Sequence, residues 1–100
     1  MQLADHPVAV LLFTLRGCPA CAAAKPIFDK VRAHYASCLP GFQLDASLNQ
    51  ALTDLYGVKT APSILVVRRG KRVSRVMNAT SQKGIEQAFI RAAKGLECTL

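Results

Sequence analysis

Two cysteines separated by two residues, Cys18-Pro19-Ala20-Cys21, are the part of this sequence best equipped for chemistry. An apolar run, Val8-Ala9-Val10-Leu11-Leu12-Phe13-Thr14-Leu15, precedes them and a helix-forming stretch follows. A helix start carries unpaired N–H groups and a partial positive charge, and both favour a thiolate over a thiol. The thiolate is the form that attacks disulfides. When the backbone turns into a helix between them, the second sulfur reaches the first. One thiol then attacks a partner disulfide and the other resolves the mixed disulfide. Cys18 is nearest the helix start and is the expected nucleophile. Cys21 is the expected resolving, more buried thiol. Arg16 is expected to lower the Cys18 pKa further by its charge.

Two plainer readings compete with this one. The pair is either two ordinary helix cysteines or half of a zinc site. A tetrahedral zinc site needs four ligands, usually as two close pairs. Cys38, Cys98, His34 and His6 are scattered along the chain and form no second pair. No metal is therefore expected. Cys38 and Cys98 are expected to be free thiols of a loop and a tail; joining them would require Cα atoms within about 7 Å.

The elements that position the cysteines follow from pattern. Residues 8–15 read as a strand buried on both faces, in the middle of a sheet. Gly17 permits the turn that ends it. From Cys18 to about Ser37 the pattern is helical, with Ala22, Ala23 and Ala24 as strong helix formers. Ile27, Val31 and Tyr35, with Phe28 beside them, form its apolar stripe. Pro26 is expected to kink it. Cys38-Leu39-Pro40-Gly41 reads as a loop, and Phe42-Gln43-Leu44 as a short strand parallel to the first. A short helix is expected over Asn49–Tyr56, capped by Ser47 or Asn49 and stopped by Gly57. Ile64–Arg68 and Arg72–Met77 read as an antiparallel pair around Arg69-Gly70-Lys71. A last amphipathic helix runs from about Ser81 to Lys94, marked by the apolar positions Ile85, Ala88, Phe89, Ala92 and Leu96, with Ser81 as candidate N-cap and Gly95 as its stop.

With these pieces in order, the chain resembles the thioredoxin superfamily. Cys18-Pro19-Ala20-Cys21 stands where that family carries its active site. Thr60-Ala61-Pro62-Ser63 resembles its cis-proline loop, Pro26 its helix proline, and Arg69-Gly70-Lys71 its last hairpin turn. The similarity spans roughly residues 8–96. It implies an α/β minimal thioredoxin fold, with a central four-stranded mixed sheet flanked by three helices in the order β-α-β-α-β-β-α. Residues 1–100 are read as one such domain. The resemblance also implies that Pro62 is cis and faces Cys18, and that Ala61 and Pro62 bind an extended substrate through the backbone.

Three departures from the family pattern shape the expectations. Gly17 replaces the tryptophan that often precedes the first cysteine, so the surface there is expected to be flatter. Pro19 directly after the first cysteine is more like glutaredoxins and some disulfide oxidants, in a family whose potentials span about 150 mV. Leu12 occupies the position of a buried acid thought to assist proton transfer at the resolving thiol. Slower turnover as a reductase is expected from that.

Composition bounds the rest. The chain has 100 residues and a hydrophobic fraction of 51%, enough for one folded core. No apolar run approaches the roughly 20 residues of a membrane helix. The first seven residues show no secretory signal, so a cytoplasmic location is expected. The formal net charge is +7, which favours acidic partners. With 6% aromatic residues, no Trp and no recognised nucleic-acid motif, specific nucleic-acid binding is not expected. The basic run Arg68, Arg69, Lys71, Arg72 and Arg75 reads as a solvated surface around a turn.

The expected function is thiol–disulfide exchange in protein substrates by a monomer. No cofactor is needed, and electrons come from a reductase or a small thiol. Two alternatives stay open. One is a glutaredoxin-like, glutathione-dependent reductase. Asn78-Ala79-Thr80-Ser81 lacks the usual glutathione motif, although Lys59 is placed to meet a glutathione carboxylate. The other is a redox-inactive adaptor that binds proteins through the basic hairpin.

Overall fold

The structure, a computed structural model, describes residues 7–77, 81–94 and 96. Its elements are β1 (Val8–Thr14), α1 (Pro19–Tyr35), β2 (Gly41–Asp45), a 3-10 turn (Ala46–Leu48), α2 (Gln50–Leu55), β3 (Ser63–Arg68), β4 (Lys71–Met77) and α3 (Gln82–Ala93). The sheet order is β2-β1-β3-β4. β2 runs parallel to β1; β3 is antiparallel to β1, and β4 to β3. This is the four-stranded mixed sheet with three helices of a minimal thioredoxin fold.

β1 is central because all seven of its residues are buried, and only an interior strand covered on both faces buries every side chain. Alternation sorts them into two cores. Val8, Val10 and Leu12 join Ile64, Val66 and the inner faces of α1 and α3. Ala9, Leu11 and Phe13 join Leu65, Val67, Ala46 and Tyr56 on the other face. The first core is closed by aromatic contacts. Phe89 of α3 lies 5.4 Å from Phe28 and 5.3 Å from Tyr35 of α1, centroid to centroid.

Local chemistry sets the element ends. α1 runs through Pro26 without a break, and Pro26 sits on its exposed side. Ser81 caps α3 by accepting from the Gly84 N–H at 3.1 Å. Arg69 (φ 50°) and Gly70 (φ 83°) both adopt left-handed backbone in the two-residue hairpin between β3 and β4, the geometry that matches strand twist.

Several expectations are corrected. Leu15 lies beyond β1 and is 42% exposed. α1 stops at Tyr35, short of Ser37. The expected helix over 49–56 is preceded by a 3-10 turn, capped by Asp45, whose carboxylate accepts from the Ser47 N–H. Asn49 holds the cap position of α2 but makes no side-chain cap bond there; its amide donates to the Asp45 carbonyl instead. Gly41 belongs to β2 and not to a loop. Cys38 is disulfide-bonded, not free. It lies on the turn after α1, half-buried against the core. Arg72 is not merely solvated surface, since its guanidinium donates to the Tyr56 carbonyl at 3.0 Å. Gly95, Cys98, His6, residues 78–80 and the Arg75 side chain lie outside the described residues.

Candidate active site

The site forms where β1 leaves the sheet. Gly17, with φ 71°, turns the chain; a β-carbon would be strained in that conformation. Pro19 then opens α1, where its missing N–H costs no hydrogen bond. Cys18 is left in the N-cap position with extended backbone. Its Sγ accepts from the Cys21 backbone N–H at 3.1 Å. A 17-residue helix thus points its N-terminal end at this sulfur, and no acidic residue lies in its first turn to oppose an anion.

Cys21 is one turn further on and faces inward, 1% exposed. Cys18 is half-exposed. The two are disulfide-bonded, with Cα atoms 5.2 Å apart, inside the range an unstrained disulfide needs. Leu12 is wholly buried in β1, paired across the sheet with Ile64 of β3.

The Ala61–Pro62 peptide bond is cis. The Ala61 carbonyl oxygen lies 3.9 Å from Cys18 Sγ, so this loop faces the cysteine pair. Pro62 is buried and Ala61 half-buried. Ser63, fully buried, braces the loop by donating to the Thr60 carbonyl at 2.6 Å. The sequence reading missed Ser63 as a supporting residue. Its signal was a hydroxyl directly after the loop proline, at the first position of an otherwise apolar strand.

Arg16 forms an ion pair. It is 83% exposed and pairs with Asp45 at 3.6 Å. The Asp45 carboxyl is held below its ordinary value, chiefly by the Ser47 hydroxyl, with Arg16 a smaller influence. An ion pair this exposed is worth little in water. The arrangement brings Cys18, Cys21, Ala61 and Pro62 together, and pairs Arg16 with Asp45.

A helix-capped, half-exposed sulfur bonded to a buried one on this fold defines a dithiol–disulfide oxidoreductase. Comparison with known proteins narrows the class. The Thioredoxin family profile matches residues 1–91, and the chain belongs to the thioredoxin family. It is 25% identical over 85 residues to a thioredoxin of Porphyra purpurea, covering 85% of this chain and 78% of that one. It is 22% identical over 89 residues to thioredoxin 1 of a Nostoc strain, covering 88% and 83%. Among solved structures, Malassezia sympodialis thioredoxin superposes with a TM-score of 0.83 at 16% identity, over 92% of this chain and 81% of that one. The protein is a protein-disulfide oxidoreductase that works through its Cys18–Cys21 dithiol. Its substrates are proteins that carry disulfides, and its counterparts are reductases.

Proposed function

We propose that Cys18 attacks and Cys21 resolves. The observation that carries this assignment is the Cys21 N–H on Cys18 Sγ at the start of α1, with Cys18 half-exposed and Cys21 buried. In the reduced protein the Cys18 thiolate displaces one sulfur of a substrate disulfide, which leaves as a thiolate and takes a proton from water. Cys18 is then joined to the substrate's other sulfur. Cys21 loses its proton and attacks Cys18 Sγ. The Cys18–Cys21 bond forms and the second substrate thiolate departs. Two electrons pass from the dithiol to the substrate, and a reductase or small thiol restores them.

Ala61 and Pro62 bind the substrate in this reading. The Ala61 carbonyl faces Cys18, and an extended substrate segment pairs with the Ala61 backbone as an added strand. Arg16 contributes a weak positive potential near Cys18, reduced by its pairing with Asp45. The Cys21 proton goes to water, since apolar Leu12 offers no acceptor. The protein acts as a monomer. A cytoplasmic setting belongs to the same reading: no helix among the described residues is long and apolar enough to cross a membrane. The disulfide at Cys38 is the observation against it, because cytosolic thiols are mostly kept reduced.

A Cys21→Ser variant tests the assignment. It should accumulate mixed disulfides with protein substrates through Cys18, and a Cys18→Ser, Cys21→Ser double variant should accumulate none. Trapping through Cys21 in a Cys18→Ser variant, with none through Cys18, would reverse the roles.

A further inference from the structure

The turn between β3 and β4 carries more positive charge than its fold requires. Arg68, Arg69, Lys71 and Arg72 crowd around Gly70, and none of them forms an ion pair with a described residue. Arg69, Lys71 and Arg72 are exposed and Arg68 is half-buried. Arg69 has left-handed backbone, with φ 50°. A two-residue hairpin of this kind needs positive φ at both central positions and is best served by Asn-Gly or Asp-Gly. Gly70 meets that need. Arg69 does not, because its β-carbon is crowded there and it has no short polar group to bond locally. The turn thus keeps a cation at its tip where a neutral residue would fold more easily. Strain of this kind points to a role beyond folding.

The tip is also firmly held. The Tyr56 hydroxyl donates to the Gly70 carbonyl at 2.7 Å, the Arg72 guanidinium to the Tyr56 carbonyl at 3.0 Å, and the Arg69 N–H to the Pro7 carbonyl at 3.2 Å. A ligand would pay little to order this backbone. β4 is an edge strand, so the backbone groups on its outer side have no strand partner. Cations on an open edge select what pairs with it. A second copy brings its own net charge of +7 and is repelled. A nucleic acid or a lipid headgroup answers the charge but offers no strand. An extended acidic polypeptide answers both, adding main-chain hydrogen bonds to charge complementarity.

We propose that the β3–β4 tip and the outer edge of β4 form a docking surface for an extended acidic segment of a partner protein. Arg68 lies opposite Val8 and Ser63 opposite Phe13. The tip is therefore at the end of the sheet away from the cis-proline loop, roughly 17 Å along β3. A partner held there leaves Cys18 open, and the surface does not depend on which cysteine attacks.

The test is binding of a fluorescent six-glutamate peptide to the full chain, read by anisotropy. The peptide should bind at low salt and weaken as salt rises. It should bind about tenfold tighter, or more, than a peptide of equal charge in which prolines alternate with the glutamates, because proline removes the donors that pair with an edge. Arg69→Glu combined with Lys71→Glu should weaken binding by about tenfold or more. Lys30→Glu combined with Lys83→Glu makes the same change in net charge on α1 and α3, and should weaken it by less than about threefold. Arg69→Asn should weaken binding while keeping or raising the thermal midpoint, since Asn suits the turn. A lowered midpoint in that variant would overturn the argument from strain. Absent binding at low salt, or equal losses in the two paired variants, would overturn the surface. Equal affinity for the proline-containing peptide would overturn strand pairing, and tighter binding of a six-thymidine oligonucleotide through the same residues would overturn the polypeptide partner.

Discussion

The backbone N–H of Cys21 donates to the sulfur of Cys18 across 3.1 Å. The buried cysteine thus helps to hold the exposed one in its attacking form. A hydrogen bond to the charged form of a group favours that form, and a helix N-terminus adds to it. In the reduced protein at pH 7, Cys18 should therefore react with iodoacetamide faster than the thiol of an unstructured peptide. Cys21 should stay unlabelled until the chain is denatured. Peptide mapping by mass spectrometry checks both. Equal labelling of the two cysteines in the folded chain would contradict the assignment.

Arg16 offers a contrast of scale. Its guanidinium is 83% exposed and turned toward Asp45, and charges in that setting are heavily screened. Arg16→Ala should slow alkylation of Cys18 at pH 7 by less than about threefold at physiological salt. Displacing the helix cap should matter far more. A tenfold or greater loss in the Arg16 variant would make that side chain, and not the helix start, the main support of the thiolate.

Gly41 makes a stability prediction, because an added β-carbon has nowhere to go. It would lie 3.0 Å from Arg32 Cβ, 3.2 Å from Phe89 Cζ and 3.3 Å from Phe28 Cζ. Two of these atoms end large rings held in the core, so they cannot swing aside as a surface chain would. Gly41→Ala should cost about 1–3 kcal/mol, the usual range for overpacking. For a domain of this size each kcal/mol lowers the thermal midpoint by about 4–8 °C. A scanning melt with an unchanged midpoint would show that α1 and α3 yield more easily than their packing implies.

Features written in local sequence were readable, and features made by distant contacts were not. β1 was legible because its apolar residues are continuous, and α1 because Ala22, Ala23 and Ala24 and the spacing of Ile27, Val31 and Tyr35 mark it. The loop at Pro62 was legible through its resemblance to the family's cis-proline loop, just before an apolar strand. By contrast, the 3-10 turn depends on Asp45 reaching Ser47, a bond that no periodicity reports. Gly41 looked like a turn residue, yet its glycine is required by rings 13 and 48 positions away. Arg16 pairs with Asp45, 29 positions further on, so its placement relative to Cys18 had no sequence signature. The bonding of Cys38 was equally hidden, because disulfide pairing is a matter of Cα proximity in the fold.

Tyr56 ties α2 to the hairpin, and it should give the protein an alkaline limit. Its hydroxyl donates to the Gly70 carbonyl at 2.7 Å, while its own carbonyl accepts from Arg72. Burial raises its pKa above the ordinary value of 10.0. The sign follows from proton counting. Above pH 10 the unfolded chain gives up this proton more readily than the folded chain does. Folding then binds a proton, so the contribution of Tyr56 falls as pH rises from its unfolded pKa toward its folded one. At pH 7 both states are protonated and only the hydrogen bond counts, worth about 1 kcal/mol. Tyr56→Phe should therefore be less stable than the parent by about that amount at pH 7 in urea titrations. The gap should narrow as pH climbs past 10. A gap that stayed constant over that range would mean the phenol ionises as easily in the fold as outside it. The link between α2 and the hairpin would then be solvated rather than buried.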